Sequence, residues 1–158
     1  MKILLVEDYE EKANDIKSFL FSTFPQIQVD HCTSYNSAQE KIFDATDPYD
    51  LILLDMSMTT FDLSSDASGG KPEPSAGKDI LEGMYLRDIH TPVIVVTMYN
   101  VFGRKELSVF HKELKELYPD NYKSYVFYSA QHSEWRASLE KNIKAVLLWL
   151  IYLLWMTS

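Results

Sequence analysis

Four consecutive aliphatic residues, Leu51–Leu54, lead directly into the carboxylate of Asp55. A short apolar run bounded by polar residues is typical of a strand buried on both faces, as in a parallel sheet covered by helices. A charged residue directly after such a run lies where the strand leaves the core, and open α/β sheets bind ligands at this carboxyl edge. Asp55 is therefore a candidate ligand-handling residue, with an ordinary turn or helix-cap role as the alternative.

The same pattern of an apolar run with a polar end recurs in two other places. Residues 3–6 run into Glu7 and Asp8, and residues 92–96 run into Thr97. Two further strands are predicted, at residues 27–32 and 124–128. These five segments are short and rich in branched or aromatic side chains, as strands are.

Helical patterns separate the predicted strands. They begin just after Asp8, at the N-cap Ser34, at Lys78, at Gly103 and after the cap Ser133. Strand and helix alternate five times, which implies parallel strands, right-handed crossovers and a three-layer α/β sandwich.

Composition narrows the range of functions. A chain of 158 residues suits one domain, and a net charge of −8 argues against nucleic-acid binding, which depends on Lys and Arg. Cys32 is the single cysteine, so no internal disulfide can form. Only four apolar residues follow Lys2 before the first acids, too few for a secretory leader, so we expect a cytoplasmic location.

The polar strand ends indicate a chemistry. If their strands are neighbours, Glu7, Asp8, Asp55 and the Thr97 hydroxyl converge at one edge of the sheet. Such a cluster repels itself unless a cation or protons intervene, and hard oxygen ligands without Cys or His favour Mg²⁺. Carboxylates that hold a metal beside another that acts as nucleophile suit phosphoryl transfer.

Four segments carry a family resemblance. They are Ile3-Leu4-Leu5-Val6-Glu7-Asp8, Leu51-Ile52-Leu53-Leu54-Asp55-Met56, Gly77-Lys78-Asp79-Ile80-Leu81 and Thr91-Pro92-Val93-Ile94-Val95-Val96-Thr97. In this order and spacing the chain resembles the receiver domain of bacterial two-component response regulators. The resemblance implies a flavodoxin-like fold with strand order 2-1-3-4-5 over residues 1–142. An insertion at 59–76 interrupts that domain, and a hydrophobic helical extension follows at 143–158.

The resemblance also implies a role for each matching residue. Asp55 would accept a phosphoryl group from a phosphohistidine on a sensor histidine kinase or phosphotransfer protein. Glu7, Asp8, Asp55 and the backbone carbonyl of Ser57 would hold Mg²⁺. Thr97 would hydrogen-bond the phosphoryl oxygens, and Tyr125 would be the aromatic that changes rotamer with it. For Tyr125 the alternative is an ordinary half-buried strand aromatic.

Three departures from the family pattern stand out. The family ends its fifth strand with Lys-Pro, where this chain has Tyr128-Ser129. Loss of that counter-charge should weaken an acyl phosphate by about one to a few kcal/mol, unless Lys78, Arg104 or Lys105 substitutes. Met98 is bulky where the family is small, which would narrow access to Asp55. The 59–76 insertion lies beside Asp55, either as a solvated linker or as a lid or docking surface.

The chain closes with a segment that is apolar on every face. The apolar run after Lys144 is about 12 residues long, against the ~20 that a membrane span requires, so no transmembrane segment is expected. A helix in one packed layer needs only one apolar stripe. We therefore expect Trp149, Tyr152 or Trp155 to meet a second copy or a partner protein, with packing on the sheet as the alternative.

Three functional hypotheses follow. The first is a non-enzymatic, single-domain receiver, phosphorylated on Asp55, that acts by protein contact or by draining phosphoryl groups from a kinase. The second is a pseudo-receiver, an interaction or dimerisation module independent of phosphorylation. A third, an Mg²⁺-dependent phosphatase, is disfavoured because such enzymes usually place an acid two residues after the nucleophile, where this chain has Ser57.

Overall fold

A computed structural model describes residues 1–59, 72–73, 75–102 and 104–158 of the chain. Its central sheet has five parallel strands in the spatial order β2-β1-β3-β4-β5. The strands are β1 (Lys2–Val6), β2 (Gln28–Cys32), β3 (Leu51–Leu54), β4 (Val93–Thr97) and β5 (Tyr122–Phe127). The helices are α1 (Glu10–Thr23), α2 (Tyr35–Phe43), α3 (Ala76–Leu86), α4 (Leu107–Leu117) and α5 (Glu134–Thr157). The predicted α/β class and strand order 2-1-3-4-5 are confirmed.

Helices cover both faces of the sheet, which explains the uninterrupted apolar strands. Because successive strand residues point to opposite faces, Leu4 and Ile52 pack with α2, α3 and α4, whereas Leu5 and Leu53 pack with α1 and α5. All four side chains are at most 1% exposed. A strand with helices on each side cannot place a polar side chain at either face without burying it.

Helix α3 begins at Ala76, two residues before the predicted start at Lys78. Two further segments begin at least two residues from their predicted starts. Helix α4 starts at Leu107 and not at Gly103, because Val101–Phe102 and Lys105–Glu106 first pair as antiparallel strands. Strand β5 begins at Tyr122, two residues before the predicted start, and pairs there with Val93. In both cases backbone pairing with a neighbour takes precedence over the local helical or strand pattern.

The predicted N-cap of α2 is confirmed. Ser34 Oγ accepts a hydrogen bond from the backbone N–H of Ser37 at 3.1 Å, and Ser37 Oγ accepts one from the backbone N–H of Ser34 at 3.2 Å. Each hydroxyl thus satisfies a backbone donor that the helix start leaves without a partner.

The predicted insertion at 59–76 lies largely outside the described residues. At its base, Met58–Thr59 pairs with Pro72–Glu73 as two short antiparallel strands. This pairing brings the two ends of the insertion together next to the carboxyl end of β3.

Helix α5 runs without a break for 24 residues. Its buried side chains, Trp135, Leu139, Ile143 and Val146, recur every three or four residues and pack on the sheet. Beyond Leu150 the side chains are exposed, and Trp155 is 77% exposed. Within the described part of the chain, no helix combines the length and the apolar character that a membrane crossing requires.

Candidate functional site

The first and third strands bring their carboxylates together at one edge of the sheet. Val6 and Leu54 are partners in the β1–β3 ladder, and the backbone N–H of Asp55 donates to the Val6 carbonyl at 3.0 Å. The two chains therefore leave the sheet side by side. Glu7, Asp8 and Asp55 each present an oxygen atom, and these atoms lie within 4.8 Å of one another. We call these three residues the acidic cluster.

A lysine from helix α1 enters the acidic cluster. The Lys12 side chain is completely buried, and its ammonium forms ion pairs with Glu7 Oε2 and, at 3.5 Å, with Asp55 Oδ1. Lys12 Nζ also donates a hydrogen bond to the Val96 carbonyl at 2.7 Å. Sequence reasoning missed this residue. The signal was available, because Lys12 stands four and eight residues before the buried Ile16 and Leu20 on the apolar stripe of α1.

Asp55 keeps one oxygen atom without a hydrogen bond. Its side chain is 7% exposed, and Oδ1 is the one buried side-chain oxygen or nitrogen among the described residues that lacks such a partner. The Lys12 ammonium attracts this oxygen electrostatically, but the distance of 3.5 Å between Nζ and Oδ1 is too long for a good charge-assisted hydrogen bond. A buried, unsatisfied carboxylate oxygen is costly, and it indicates a position prepared for a ligand.

Burial is the largest influence on the pKa values of Glu7 and Asp55. It raises the pKa of Glu7 to about 8; the negative charge of Asp55 adds to the rise, and the Lys12 ammonium opposes it. The pKa of Asp55 is raised as well, first by burial and then by the charge of Asp8, again against Lys12. One ammonium therefore does not fully compensate three gathered carboxylates, and the cluster favours an additional cation or proton.

Strand β4 is the neighbour of β3 in the sheet, and its carboxyl end lies beside the acidic cluster. Val95 is the ladder partner of Leu54, and Thr97 follows it by two residues as a fully buried side chain. Thr97 Oγ1 accepts a hydrogen bond from the backbone N–H of Tyr99 at 3.0 Å. The Lys12 contact with Val96 joins this strand end to the acidic cluster.

Tyr125 lies on the opposite face from Lys12. It is half-buried on β5, next to Val95 in the ladder, and its ring meets the His111 ring edge-on with centroids 5.1 Å apart. His111 Nδ1 is also hydrogen-bonded to the Tyr122 hydroxyl at 2.7 Å, and burial lowers the pKa of His111. This contact holds the Tyr125 ring against α4.

Tyr128 occupies the strand end where the family pattern has lysine. Its backbone N–H donates to the Thr97 carbonyl at 2.8 Å, and its buried hydroxyl donates to Asp15 Oδ2 on α1 at 2.5 Å. The ring lies 6.0 Å from Lys12 Nζ, at the limit of a cation–π contact. Burial and the charge of Asp15 both raise the pKa of the Tyr128 hydroxyl.

Helix α3 packs directly on the loop that follows Asp55. A Cβ atom on Gly77 would lie 2.8 Å from both the Asp55 carbonyl oxygen and the Met56 Cα, so any larger residue collides with backbone. The Gly77 N–H donates to the Met56 carbonyl at 3.1 Å. Ser57, whose carbonyl was predicted as a metal ligand, follows in this loop as a half-buried residue.

The predicted substitutes for the missing strand-end lysine are engaged or exposed elsewhere. Lys78 and Lys105 form ion pairs with the two carboxylate oxygens of Glu113, at 3.3 and 2.6 Å. Arg104 is exposed. In this structure the ion pairs with Glu7 and Asp55 come from Lys12. That Lys78, Arg104 or Lys105 substitutes for the strand-end lysine stays a prediction. Met98 is half-buried and packs with the core residues between the sheet and helices α1 and α5.

The acidic cluster fits a divalent cation. Its donors are carboxylate oxygens, the ligands that Mg²⁺ and Mn²⁺ prefer, and a spacing within 4.8 Å requires only small side-chain rotations to share one ion. The unsatisfied Asp55 Oδ1 and the raised pKa of Glu7 both indicate a demand for positive charge that Lys12 leaves unmet.

A five-stranded parallel sheet in this order, with acids at the carboxyl ends of its first and third strands, defines a receiver-type domain, and comparison with known proteins agrees. No protein-family model matches the chain. The Detocs response regulatory protein DtcB of Enterobacter cloacae (strain JD6301) is 32% identical over 148 residues, which span 90% of this chain and 98% of that protein. The uncharacterized protein y4jR of Sinorhizobium fredii is 27% identical over 146 residues, or 89% and 95% of the two chains.

Solved structures show the same fold at lower identity. The amino-terminal domain of a Carboxydothermus hydrogenoformans response regulator/sensory box/GGDEF protein superposes with a TM-score of 0.66 at 19% identity, covering 98% of this chain and 99% of that one. The receiver domain of the Francisella response regulator 1452 gives 0.61 at 20% identity, with 92% and 94% covered. The Mn²⁺-bound response regulator Rcp1 gives 0.61 at 16%, with 89% of each covered. The chain belongs to the response-regulator receiver family.

Proposed function

We propose that this receiver accepts a phosphoryl group on Asp55 from a phosphohistidine of a sensor histidine kinase or phosphotransfer protein. The observation that carries the proposal is the unsatisfied, buried Oδ1 of Asp55 among the other carboxylates at the carboxyl edge of the sheet. A carboxylate in such a place is a nucleophile whose charge the site already balances in part.

The transfer is a simple exchange of bonds. A carboxylate oxygen of Asp55 attacks the phosphorus, and the phosphorus–nitrogen bond of the donor breaks. Its electron pair stays on the imidazole nitrogen, which takes up a proton, and Asp55 becomes an acyl phosphate. A magnesium ion held by Glu7, Asp8, Asp55 and the Ser57 carbonyl would neutralise charge on the phosphoryl oxygens. Thr97 would hydrogen-bond one of these oxygens, and Tyr125 would respond to its movement.

A small-molecule donor tests this proposal without a partner kinase. The full chain is incubated with phosphoramidate and Mg²⁺, and its intact mass is measured. We expect one added phosphoryl group on the wild type and none on Asp55→Asn. Asp50→Asn is the matched control, since Asp50 is an exposed carboxylate at the other end of the same strand. An unmodified wild type, or an adduct that persists in Asp55→Asn, contradicts the proposal.

A second function is favoured by one observation. Asp55 is only 6% exposed and already faces an internal ammonium, as in a pseudo-receiver that kept its charges for folding. Such a module would bind its partner without phosphorylation. It predicts that self-association or partner binding is the same in Asp55→Asn as in the wild type, measured by sedimentation velocity, and a large difference rules it out.

The apolar end of α5, residues 147–157, is the surface we propose for output. Seven of its large apolar side chains are exposed, namely Leu148, Ile151, Tyr152, Leu153, Leu154, Trp155 and Met156. Trp149 is half-buried, with the Lys123 ammonium 4.2 Å from its ring centroid. A helix that is apolar on every face is normally covered, so Trp149, Tyr152 and Trp155 would contact a second copy of the chain or a partner protein.

A further inference from the structure

We propose that Lys12 binds the phosphoryl group on Asp55, so that helix α1, and not the end of β5, supplies the site's permanent cation. This inference rests on the proposed function of Asp55. It assigns a phosphoryl-binding role to a residue that neither the sequence motifs nor the family resemblance pointed to.

The first step of the argument is the environment of the ammonium. Lys12 is fully buried, and a buried ammonium is tolerated only when oxygen atoms surround it. Two of its three donor directions are accounted for by Glu7 Oε2 and the Val96 carbonyl. The third lies toward Asp55 Oδ1, where the 3.5 Å separation leaves the hydrogen-bonding capacity of both groups incompletely used.

The second step is what phosphorylation would do to this arrangement. A phosphoryl group on Asp55 adds anionic oxygens next to the carboxylate that already faces Nζ. One of these oxygens can accept a charge-assisted hydrogen bond from the remaining N–H of Lys12. Such a bond is shorter and stronger than the present contact. The low-dielectric surroundings strengthen the attraction further.

The third step is the wall formed by Tyr128. Its ring stands 6.0 Å from Lys12 Nζ, and its hydroxyl is held by Asp15 on the same helix α1. Tyr128 therefore fills the strand-end position, shields the ammonium and fastens the helix that carries it. Where the family pattern has one lysine at the end of the fifth strand, this chain has the Tyr128 ring at the strand end and the Lys12 ammonium on helix α1.

A purely structural Lys12 would behave differently. As a counter-ion only, it would neutralise Glu7 and Asp55 during folding, and Mg²⁺ could replace that charge. Its removal would then lower stability but leave the binding of a phosphoryl mimic unchanged at saturating Mg²⁺. A phosphoryl-binding Lys12 is needed in addition to Mg²⁺.

The experiment compares Lys12→Met with Lys17→Met, which removes a half-buried lysine from the same helix. Each full-length variant, shown by circular dichroism to be folded in saturating Mg²⁺, is titrated with beryllofluoride and followed by ¹⁹F NMR. We expect the apparent Kd to rise about 10- to 100-fold in Lys12→Met, as for loss of a charged hydrogen bond, and to stay unchanged in Lys17→Met. Equal affinity of Lys12→Met and wild type overturns the inference.

A structure of the wild-type protein with Mg²⁺ and beryllofluoride decides the question even if Lys12→Met does not fold. Lys12 Nζ within about 3 Å of a fluorine supports the inference. Lys12 Nζ still on Glu7 and beyond about 4 Å from every fluorine overturns it, while Asp55 phosphorylation stands. A wild type that takes neither beryllofluoride nor a phosphoryl group overturns the proposed function itself, and this inference with it.

Discussion

The acidic cluster and the apolar end of α5 carry free-energy costs of opposite kinds. In the cluster, the carboxylates of Glu7 and Asp55 and the Lys12 ammonium are withdrawn from water, which is unfavourable for charged groups. At the end of α5, large apolar side chains such as Trp155 stand in water, which is unfavourable for apolar surface. Neither arrangement is what stability alone selects. Under the proposals above, each would be relieved by binding, the first by a cation and phosphoryl group and the second by another protein surface.

The two regions should therefore respond differently to substitution. Changes around the acidic cluster should alter the free energy of unfolding, because the surrounding chain is tightly packed and its polar groups are bonded. Changes at the end of α5 should leave that energy nearly untouched and alter association. Four experiments test this contrast, in order of decreasing expected effect on stability.

Gly77→Ala should have the largest effect. The new Cβ would approach the Asp55 carbonyl oxygen and Met56 Cα to 2.8 Å, and neither backbone atom can move away cheaply. We expect a loss of about 1–3 kcal/mol in the free energy of unfolding, measured by urea denaturation. Gly83→Ala is the control, because its Cβ meets the tip of the Phe43 ring, which can rotate aside. An equal or larger loss in Gly83→Ala contradicts the idea of a rigid loop under Asp55.

Mg²⁺ should reverse the pH dependence of stability. The pKa of Glu7 is about 8 in the folded protein and 4.5 ordinarily, so between these values the folded state holds a proton that the unfolded chain has released. Without Mg²⁺, Glu7's contribution is fully present below the lower value and is lost as the pH rises through the higher one. With Mg²⁺, stability should instead rise with pH. At a given pH, the bound ion should stabilise the folded protein by about 1.4 kcal/mol for each tenfold excess of the ion over its Kd.

Thermal melts between the two pKa values, with Mg²⁺ or with EDTA, measure this effect. In Glu7→Gln the fall in stability without metal should flatten, because the titrating group is gone. A slope that persists unchanged in Glu7→Gln would show that another group carries it.

Tyr128→Phe should cost about 1 kcal/mol, the net value of a typical hydrogen bond, because it removes only the hydroxyl that donates to Asp15. Tyr85→Phe, on a ring that is 61% exposed, is the control and should be neutral in the same denaturation assay. A neutral Tyr128→Phe would mean that the contact between β5 and α1 does not hold the Lys12 helix in place.

Trp155→Ser should change the free energy of unfolding of the monomer by less than about 0.5 kcal/mol, because the indole is 77% exposed. Its effect should appear in sedimentation velocity as weaker self-association or partner binding. Leu86→Ser removes a comparably exposed apolar side chain, 71% exposed, from α3 and should leave association unchanged. If both variants behave alike, the end of α5 is not a specific contact surface.

The fold could be predicted from the sequence because the patterns of its strands and helices are local and repeated. Each buried strand is a short apolar run, and runs such as Leu51–Leu54 admit few alternatives once helical patterns alternate with them. Helix starts with side-chain caps, such as Ser34, were also readable. The start of α4 was not, since strand pairing between residues 101–102 and 105–106 depends on two separate segments meeting.

The acidic cluster was predictable for the same reason. For Lys12 the sequence carried only a partial signal, its place on the apolar stripe of α1, and did not indicate its contacts. Parallel strands place their carboxyl ends at one edge, so acids that follow two neighbouring strands must converge there. Lys12 stands among charged residues at the start of α1, where Glu10 and Glu11 are exposed, and charge there ordinarily faces water. Its burial depends on how α1 sits against β4.

The sequence by itself determined the α/β class, because strand periodicity and parallel connections leave few other arrangements. The order of the five strands, and with it the edge at which Glu7, Asp8 and Asp55 meet, was what the family resemblance implied. Only the tertiary structure decided which cation shares that edge and where α5 leaves the sheet. The contact of Lys12 with Val96 joins residues 84 positions apart. Contacts at such a distance along the chain arise from the packing of whole elements, and no local pattern records them.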